Sequence, residues 1–292
     1  MERCNACPRG CNIDRAKVLG YCGTEAKIKV ARIGLHKWEE PCICYGEGSG
    51  TIFFSGCNLK CVFCQNYEIS HGHKGVLIDR EKLCEDIFDL QNQGACNINL
   101  VTPSHYTEEV TRVLEMVKPK LNIPVVYNSS GYDGVESIKK LDGLVDIYLP
   151  DIKYFSSEMS GKYSGAVNYF SVASRAIDEM IKQVGYTWID ENGKMEKGVL
   201  VRHLVLPGGY RDSIEILKYL ADNYQSDKLG ISLMCQYFPG YRASEYPELN
   251  RKLTTFEYKK VVEKAEELGF EIGFIQERSS ATEEYVPSFD YK

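Results

Sequence analysis

Cys57, Cys61 and Cys64 form a C-x3-C-x2-C set on one short stretch of this 292-residue chain. Thiolates are soft ligands, suited to iron–sulfur clusters or to zinc. A fully ligated cubane uses four cysteines. Three leave one iron open, and an open metal position is where chemistry takes place. The other reading of the spacing is a zinc knuckle that borrows a fourth ligand, although zinc sites usually pair their ligands in two short groups. Upstream, Cys4, Cys7, Cys11 and Cys22 are spaced C-x2-C-x3-C-x10-C, with Pro8, Gly10, Gly20 and Gly23 among them. Such residues allow the sharp turns that bring four sulfurs round one centre. A second iron–sulfur cluster, a structural zinc or four unrelated thiols all fit that pattern.

Composition narrows the setting. Nine of the twelve cysteines lie before position 65. Clustered cysteines in a reducing compartment read as metal ligands and not as disulfides. Hydrophobic content of 43% and charged content of 26% are ordinary for a globular protein. A formal charge of −6 argues against a general nucleic-acid binder. No apolar run is long enough for a membrane span. The start, Met1-Glu2-Arg3-Cys4, lacks the pattern of a secretory leader. The expected location is the cytoplasm, with neither nucleic acid nor membrane as partner. Cys84, Cys96 and Cys235 fall inside predicted elements and are expected as small buried hydrophobes. Cys42 and Cys44, in the unusual run Glu39-Glu40-Pro41-Cys42-Ile43-Cys44, receive no assignment.

Strands and helices must position these groups. The β-branched and aromatic run at 51–55 reads as a strand that delivers the cysteine loop. A strand at 27–35 precedes it, and Gly46, Gly48 and Gly50 lead into it. Those glycines open a strand, not a helix, so they are no dinucleotide fingerprint. Beyond lie predicted helices at 80–93, 107–118 (with Thr107 as N-cap), 135–141, 169–184, 213–224 and 255–268. Strands are expected at 97–101, 124–127, 144–149, 198–206, 229–237 and 270–276. A hairpin arm turns at Glu191-Asn192-Gly193-Lys194. Alternating strands and helices imply a parallel α/β sheet. The segmentation is a Cys-rich extension and linker over 1–50, a main domain over 51–278 and a tail over 279–292.

Several strand ends carry polar groups. Asp151 and Lys153 stand at i and i+2 on an extended segment and so point the same way. Asn128-Ser129-Ser130-Gly131 follows the strand at 124–127, and Thr102-Pro103-Ser104 the strand at 97–101. Arg202 and His203 face opposite sides of their strand, so at most one points inward; Arg202 is the better partner for an anion. Gln236 ends the strand at 229–237. His36, His71, His73 and His105 lack metal-ligand spacing.

The stretch F-F-S-G-C-N-L-K-C-V-F-C-Q-N, residues 53–66, resembles the signature loop of the radical S-adenosylmethionine (SAM) superfamily. It is most similar to that of the pyruvate formate-lyase activating enzymes. Short cysteine sets ahead of the loop occur in an uncharacterised branch of their relatives. The resemblance implies a partial (β/α)6 TIM-like barrel with its active site at the C-terminal ends of the strands. It implies a [4Fe-4S] cluster on Cys57, Cys61 and Cys64, with SAM chelating the open iron and Phe63 contacting its adenine. Asp151 and Lys153 match the D-x-K motif at the SAM ribose and carboxylate, and Asn128 and Ser130 match a polar segment at its polar end. Arg202 lies in a run like R-x-V-V-x-P-G. Where those enzymes have G-G-E, this chain has Thr102-Pro103-Ser104, and Thr102 is expected to substitute. Flavodoxin or ferredoxin would supply the electron. The substrate would be a glycyl radical enzyme, another protein or peptide, or a small metabolite. The competing reading is a non-catalytic iron–sulfur or zinc module that transfers electrons or docks partners.

Overall fold

The computed structural model describes residues 3–275 and Phe289. Its elements run β1 (Lys29–His36), β2 (Ser49–Phe54), α1 (Tyr67–Ser70), β3 (Val76–Leu77), α2 (Arg80–Asn92), β4 (Ile98–Val101), α3 (Thr107–Val117), β5 (Val125–Ser129), α4 (Val135–Lys139) and β6 (Ile147–Pro150). They continue with α5 (Ser157–Ser164), α6 (Tyr169–Val184), β7 (Trp188–Ile189), β8 (Met195–Leu204), α7 (Tyr210–Asn223), β9 (Gly230–Met234), α8 (Thr255–Glu267) and β10 (Gly273–Ile275).

The sheet order is β10-β9-β8-β6-β5-β4-β2-β1-β3. From β2 to β10 every neighbouring pair on this path is parallel. β1 and β3 add an antiparallel edge, and β7 pairs with β8 as the expected hairpin arm. The fold is therefore α/β with a mostly parallel sheet, as the alternation of elements implies. β2, β4, β5 and β6 are buried along their whole length. That is why they read as short continuous apolar runs and not as alternating ones. The predicted tail at 279–292 lies outside the described residues apart from Phe289.

Two local expectations change. Thr107 is the first helical residue of α3 and not its N-cap. A 3-10 turn, Ser104–Tyr106, leads into the helix, and the Thr107 hydroxyl donates back to the Ser104 carbonyl at 2.9 Å. α5 is not foreseen, because its Ser- and Gly-rich sequence lacks an apolar stripe. Its ends are nevertheless well made: Ser156 Oγ accepts the Met159 N–H at 3.3 Å, and Gly165 closes it in the left-handed region at φ 65°.

The segment between β1 and β2 does more than link. His36 pairs with Ser49 at the start of β2, so the chain leaves β1 at the end of the sheet opposite the cysteine loop. It then crosses the inner face. Cys42 and Ile43 are buried in a cluster with Val126, Ile147, Leu149, Met195 and Leu200, from β5, β6 and β8. The Met195 N–H donates to the Cys42 carbonyl at 2.8 Å. Asn97 Nδ2 donates to the Ile43 carbonyl, and Ser232 Oγ to Glu40 Oε1 at 3.0 Å. Residues 39–44 thus form the floor of the space that the strands surround. Burial pushes the Cys42 thiol up to about 12, as expected of an inert, space-filling cysteine. Cys84, Cys96 and Cys235 are likewise buried.

Helix α8 anchors the loop that follows β8. Thr254 and Glu257 form a reciprocal capping box. The Glu257 carboxylate also accepts from Arg251 and from the Gly208 N–H at 2.7 Å. Among the described residues no helix is long and apolar enough to cross a membrane.

Two stability outcomes follow from this packing. Ile43→Ala removes a side chain that is 1% exposed and should lower the unfolding free energy by about 3 kcal/mol in urea denaturation. Glu257 titrates below its ordinary 4.5, chiefly because Arg251 hydrogen-bonds its charged form. A depressed folded pKa stabilises the fold above the unfolded value, and the gain is lost as pH falls. The stability difference between wild type and Glu257→Gln should therefore shrink below pH 4.5. A difference that is constant or grows on acidification would contradict this origin.

Candidate active site

β2 runs straight into the cysteine loop. Gly56 has φ +86°, and a Cβ there would lie 2.7 Å from the Cys22 carbonyl oxygen. Glycine is needed at this point for both reasons, and it lets the N-terminal segment lie directly against the loop. The loop is fixed from several sides. The Arg9 Nε donates to the Asn58 carbonyl at 2.7 Å, and Asn58 Nδ2 to the Tyr132 carbonyl at 2.6 Å. The Val62 N–H donates to the Tyr163 carbonyl, and the Arg242 N–H to the Val62 carbonyl, each at 2.9 Å. Phe63 is buried and packs against Tyr237 with ring centroids 5.9 Å apart.

The sulfurs of Cys57, Cys61 and Cys64 face one cleft of about 260 Å³. Burial, together with repulsion from Cys61, pushes Cys57 up to about 12 and Cys64 up to about 11. Each sulfur has a polar neighbour: the Leu59 N–H at 3.4 Å from Cys57, Ser164 Oγ at 2.9 Å from Cys61, and Ser70 Oγ at 3.2 Å from Cys64. Bare thiols so buried resist ionisation, but hydrogen-bond donors around them suit sulfurs that carry charge to a metal. Among the described residues no three His, Cys, Asp or Glu side chains converge on a single ion. A cubane does not require this, since its thiolates bind different irons. The donor set therefore fits a cluster better than a lone zinc.

The strand ends supply the opposite wall. Asp151 follows β6 and is 9% exposed. Its carboxylate accepts from Arg202 Nε at 3.0 Å and from Lys153 Nζ at 2.5 Å. Burial alone would raise its pKa, but Arg202 and Lys153 outweigh burial and hold it below the usual carboxylate value. Lys153 is raised in turn, because Asp151 and the nearby Cys61 sulfur overcome its desolvation. Arg202 also donates to Asn128 Oδ1 at 2.6 Å. His203 points the other way; its ring bonds the Ile152 carbonyl and Ser213, and burial lowers it to about 4. Thr102 lines the same cleft with φ +60°. A β-branched residue in the left-handed region is strained, and such strain gathers at functional sites. Ser130 lies there too, its Oγ 3.5 Å from Asn58 Oδ1. The structure thus brings Phe63, Thr102, Asn128, Ser130, Asp151, Lys153, Arg202 and Gln236 to one cleft with the three cysteines.

Trp38 and Glu39 also line this cleft, and the motif spacing does not mark them. They come from the floor segment, far in sequence from the strand ends. The run of two acids before Pro41 is the only signal in the sequence.

The four N-terminal cysteines lie together. The Cys4 N–H donates to the Ile13 carbonyl at 2.8 Å, and the Asn12 N–H to the Cys4 carbonyl at 3.0 Å. Cys22 and Cys11 Sγ lie 3.5 and 3.7 Å from where a Gly20 Cβ would stand. Cys7 is pushed up to about 12 by burial and by the sulfurs of Cys22, Cys4 and Cys11. As placed, these sulfurs do not converge on a single ion.

Comparison with known proteins agrees with this geometry. Residues 51–222 match the family model described as the radical SAM superfamily. An uncharacterised protein of Methanocaldococcus jannaschii is 32% identical over 281 residues, covering 93% of this chain and 77% of the relative. The fold resembles Streptococcus suis SuiB bound to the precursor peptide SuiA, with TM-score 0.51 and 12% identity over 76% of this chain. This chain spans 46% of the SuiB chain. It also resembles a spore photoproduct lyase variant with bound AdoMet and dinucleoside spore photoproduct, with TM-score 0.52 and 13% identity, covering 84% of this chain and 79% of that one. With the three-cysteine loop at the end of β2 and polar strand ends facing it, the chain belongs to the radical SAM superfamily, whose members are enzymes that generally bind a [4Fe-4S] cluster and SAM.

Proposed function

We propose that this chain reductively cleaves SAM and uses the product to abstract hydrogen from a substrate, in the manner of the activating enzymes. The observation that carries this reading is the shared cleft, in which three thiols face a buried Asp151–Lys153–Arg202 network. When bound, the cluster and SAM supply an electron-driven source of a 5′-deoxyadenosyl radical. Cys57, Cys61 and Cys64 hold the cluster. Phe63 offers an apolar face beside the loop. Lys153 presents an ammonium to a carboxylate, while Asp151 keeps it charged and oriented. Thr102, Asn128, Ser130 and Arg202 complete the polar wall. The sheet from β2 to β10 acts as a partial (β/α)6 barrel and excludes water from the reacting groups.

Cys4, Cys7, Cys11 and Cys22 are proposed to hold a second cluster or a zinc ion, on the strength of their mutual proximity. A flavodoxin or ferredoxin in the cytoplasm is the proposed reductant. The substrate classes compatible with the loop are a glycyl radical enzyme, another protein or peptide, and a small metabolite.

The test is anaerobic. Reconstituted protein reduced with dithionite should form 5′-deoxyadenosine from SAM, and Cys61→Ala should abolish it. Full SAM cleavage by the Cys61→Ala protein would sink the cluster assignment. Lys153→Ala should weaken SAM binding about tenfold in equilibrium dialysis, the value of one lost charge-assisted hydrogen bond. Counting iron and zinc on the Cys4→Ala/Cys7→Ala double variant should show metal lost relative to wild type. Unchanged stoichiometry would remove the second site.

A further inference from the structure

The floor of the cleft carries groups that the cofactor reading does not use. Glu39 lines the cleft from below and has no ion-pair partner among the described residues. Arg202, the cation that acts on it, is already committed to Asp151 and Asn128. Asn99 on β4 is fully buried, and both ends of its amide lack a hydrogen-bond partner among the described residues. It lies two residues before Val101, which lines the cleft, so its side chain is on the same face. It is close enough to favour the charged form of Glu39 without reaching good hydrogen-bond geometry with it. A buried amide with neither end paired is costly, and the cost is relieved when a ligand supplies the missing partner.

Charge points to the kind of ligand. Asp151, Glu39 and Glu40 face Lys153 and Arg202, three carboxyls against two cations. Glu40 is already held by Ser232. Glu39 is left as the acceptor. Burial, aided by Glu40, pushes its carboxyl up to about 7 against the pull of Arg202. An approaching cation would restore its charge.

We propose that Glu39 and Asn99 form a substrate subsite for the primary ammonium of a small amine. The ammonium donates to the Glu39 carboxylate and to the Asn99 amide oxygen, and its carbon chain points up toward the three cysteines. The inference rests on the reading of this cleft as the SAM site. It narrows the substrate to an aminated small molecule, since a backbone glycine has no such group to reach the floor.

The experiment uses cluster-reconstituted protein with SAM bound. Saturation-transfer NMR compares n-butylammonium with 1-butanol, which has the same chain and no charge. Wild type should bind the ammonium in preference to the alcohol, and Glu39→Gln should weaken that binding about tenfold. Iron content and circular dichroism confirm that the variant is folded and loaded. Asn99→Asp, which adds a second acceptor charge, should tighten ammonium binding. Equal binding of the two probes by wild type, or ammonium binding unchanged in Glu39→Gln, overturns the subsite. Loss of SAM binding in Glu39→Gln with ammonium binding retained overturns it as well, by assigning the carboxyl to the cofactor. Wild type that forms 5′-deoxyadenosine yet ignores the ammonium refutes this inference alone. Wild type that forms none refutes the reading beneath it.

Discussion

A single buried carboxylate organises the cleft. Asp151 stands at the end of β6, between the guanidinium of Arg202 on β8 and the ammonium of Lys153. Desolvating three charges is expensive, and their attraction offsets the cost only when every hydrogen bond is made. Here Asp151 shares its oxygens between two cations, and Arg202 spends its remaining reach on Asn128 of β5. Three adjacent strands are thus fixed in register at the level where the cysteine loop faces them. The Asp151–Arg202 bridge extends the parallel pairing beyond the regular strands. Removing Asp151 would leave both cations buried without their complement.

The cysteine loop depends on a different constraint, close backbone approach. It is held between the N-terminal segment at Gly56, the end of α5 through Tyr163 and Ser164, and the loop around Arg242. None of these contacts comes from the strand that delivers the loop. The position of the sulfurs is a property of the whole upper face of the sheet.

Much of this was legible in the sequence. Period and apolar runs place the strands and the longer helices, with α6 at the expected residues, because continuous burial leaves a continuous apolar record. The i and i+2 spacing puts Asp151 and Lys153 on one side, and strand alternation allows only one of Arg202 and His203 inward; the choice of Arg202 came from its fitness for an anion. Helix α5 was not legible, since caps and a left-handed glycine make it where no apolar stripe exists. The role of residues 39–44 was also hidden. Burial of Cys42 and Ile43 depends on contacts with strands more than eighty residues downstream, and local periodicity carries no trace of them. Glu39 was missed for the same reason, as its place in the cleft is set by that crossing.

The floor segment has a further consequence, for the order in which the chain can fold. Glu40 meets Ser232 across 192 residues of sequence, and Ala6 meets Ser137 across 131. On a ribosome the N-terminal part emerges first, yet its partners on α4, β8 and β9 emerge much later. Contacts of such separation form late, and until then the apolar run at Cys42 and Ile43 stays exposed. So do the nine thiols that precede position 65. The cysteines destined for the cleft, and those before them, must therefore survive, reduced, through most of the synthesis of the chain. Oxygen during synthesis is a hazard to this protein well before a metal centre exists to be damaged.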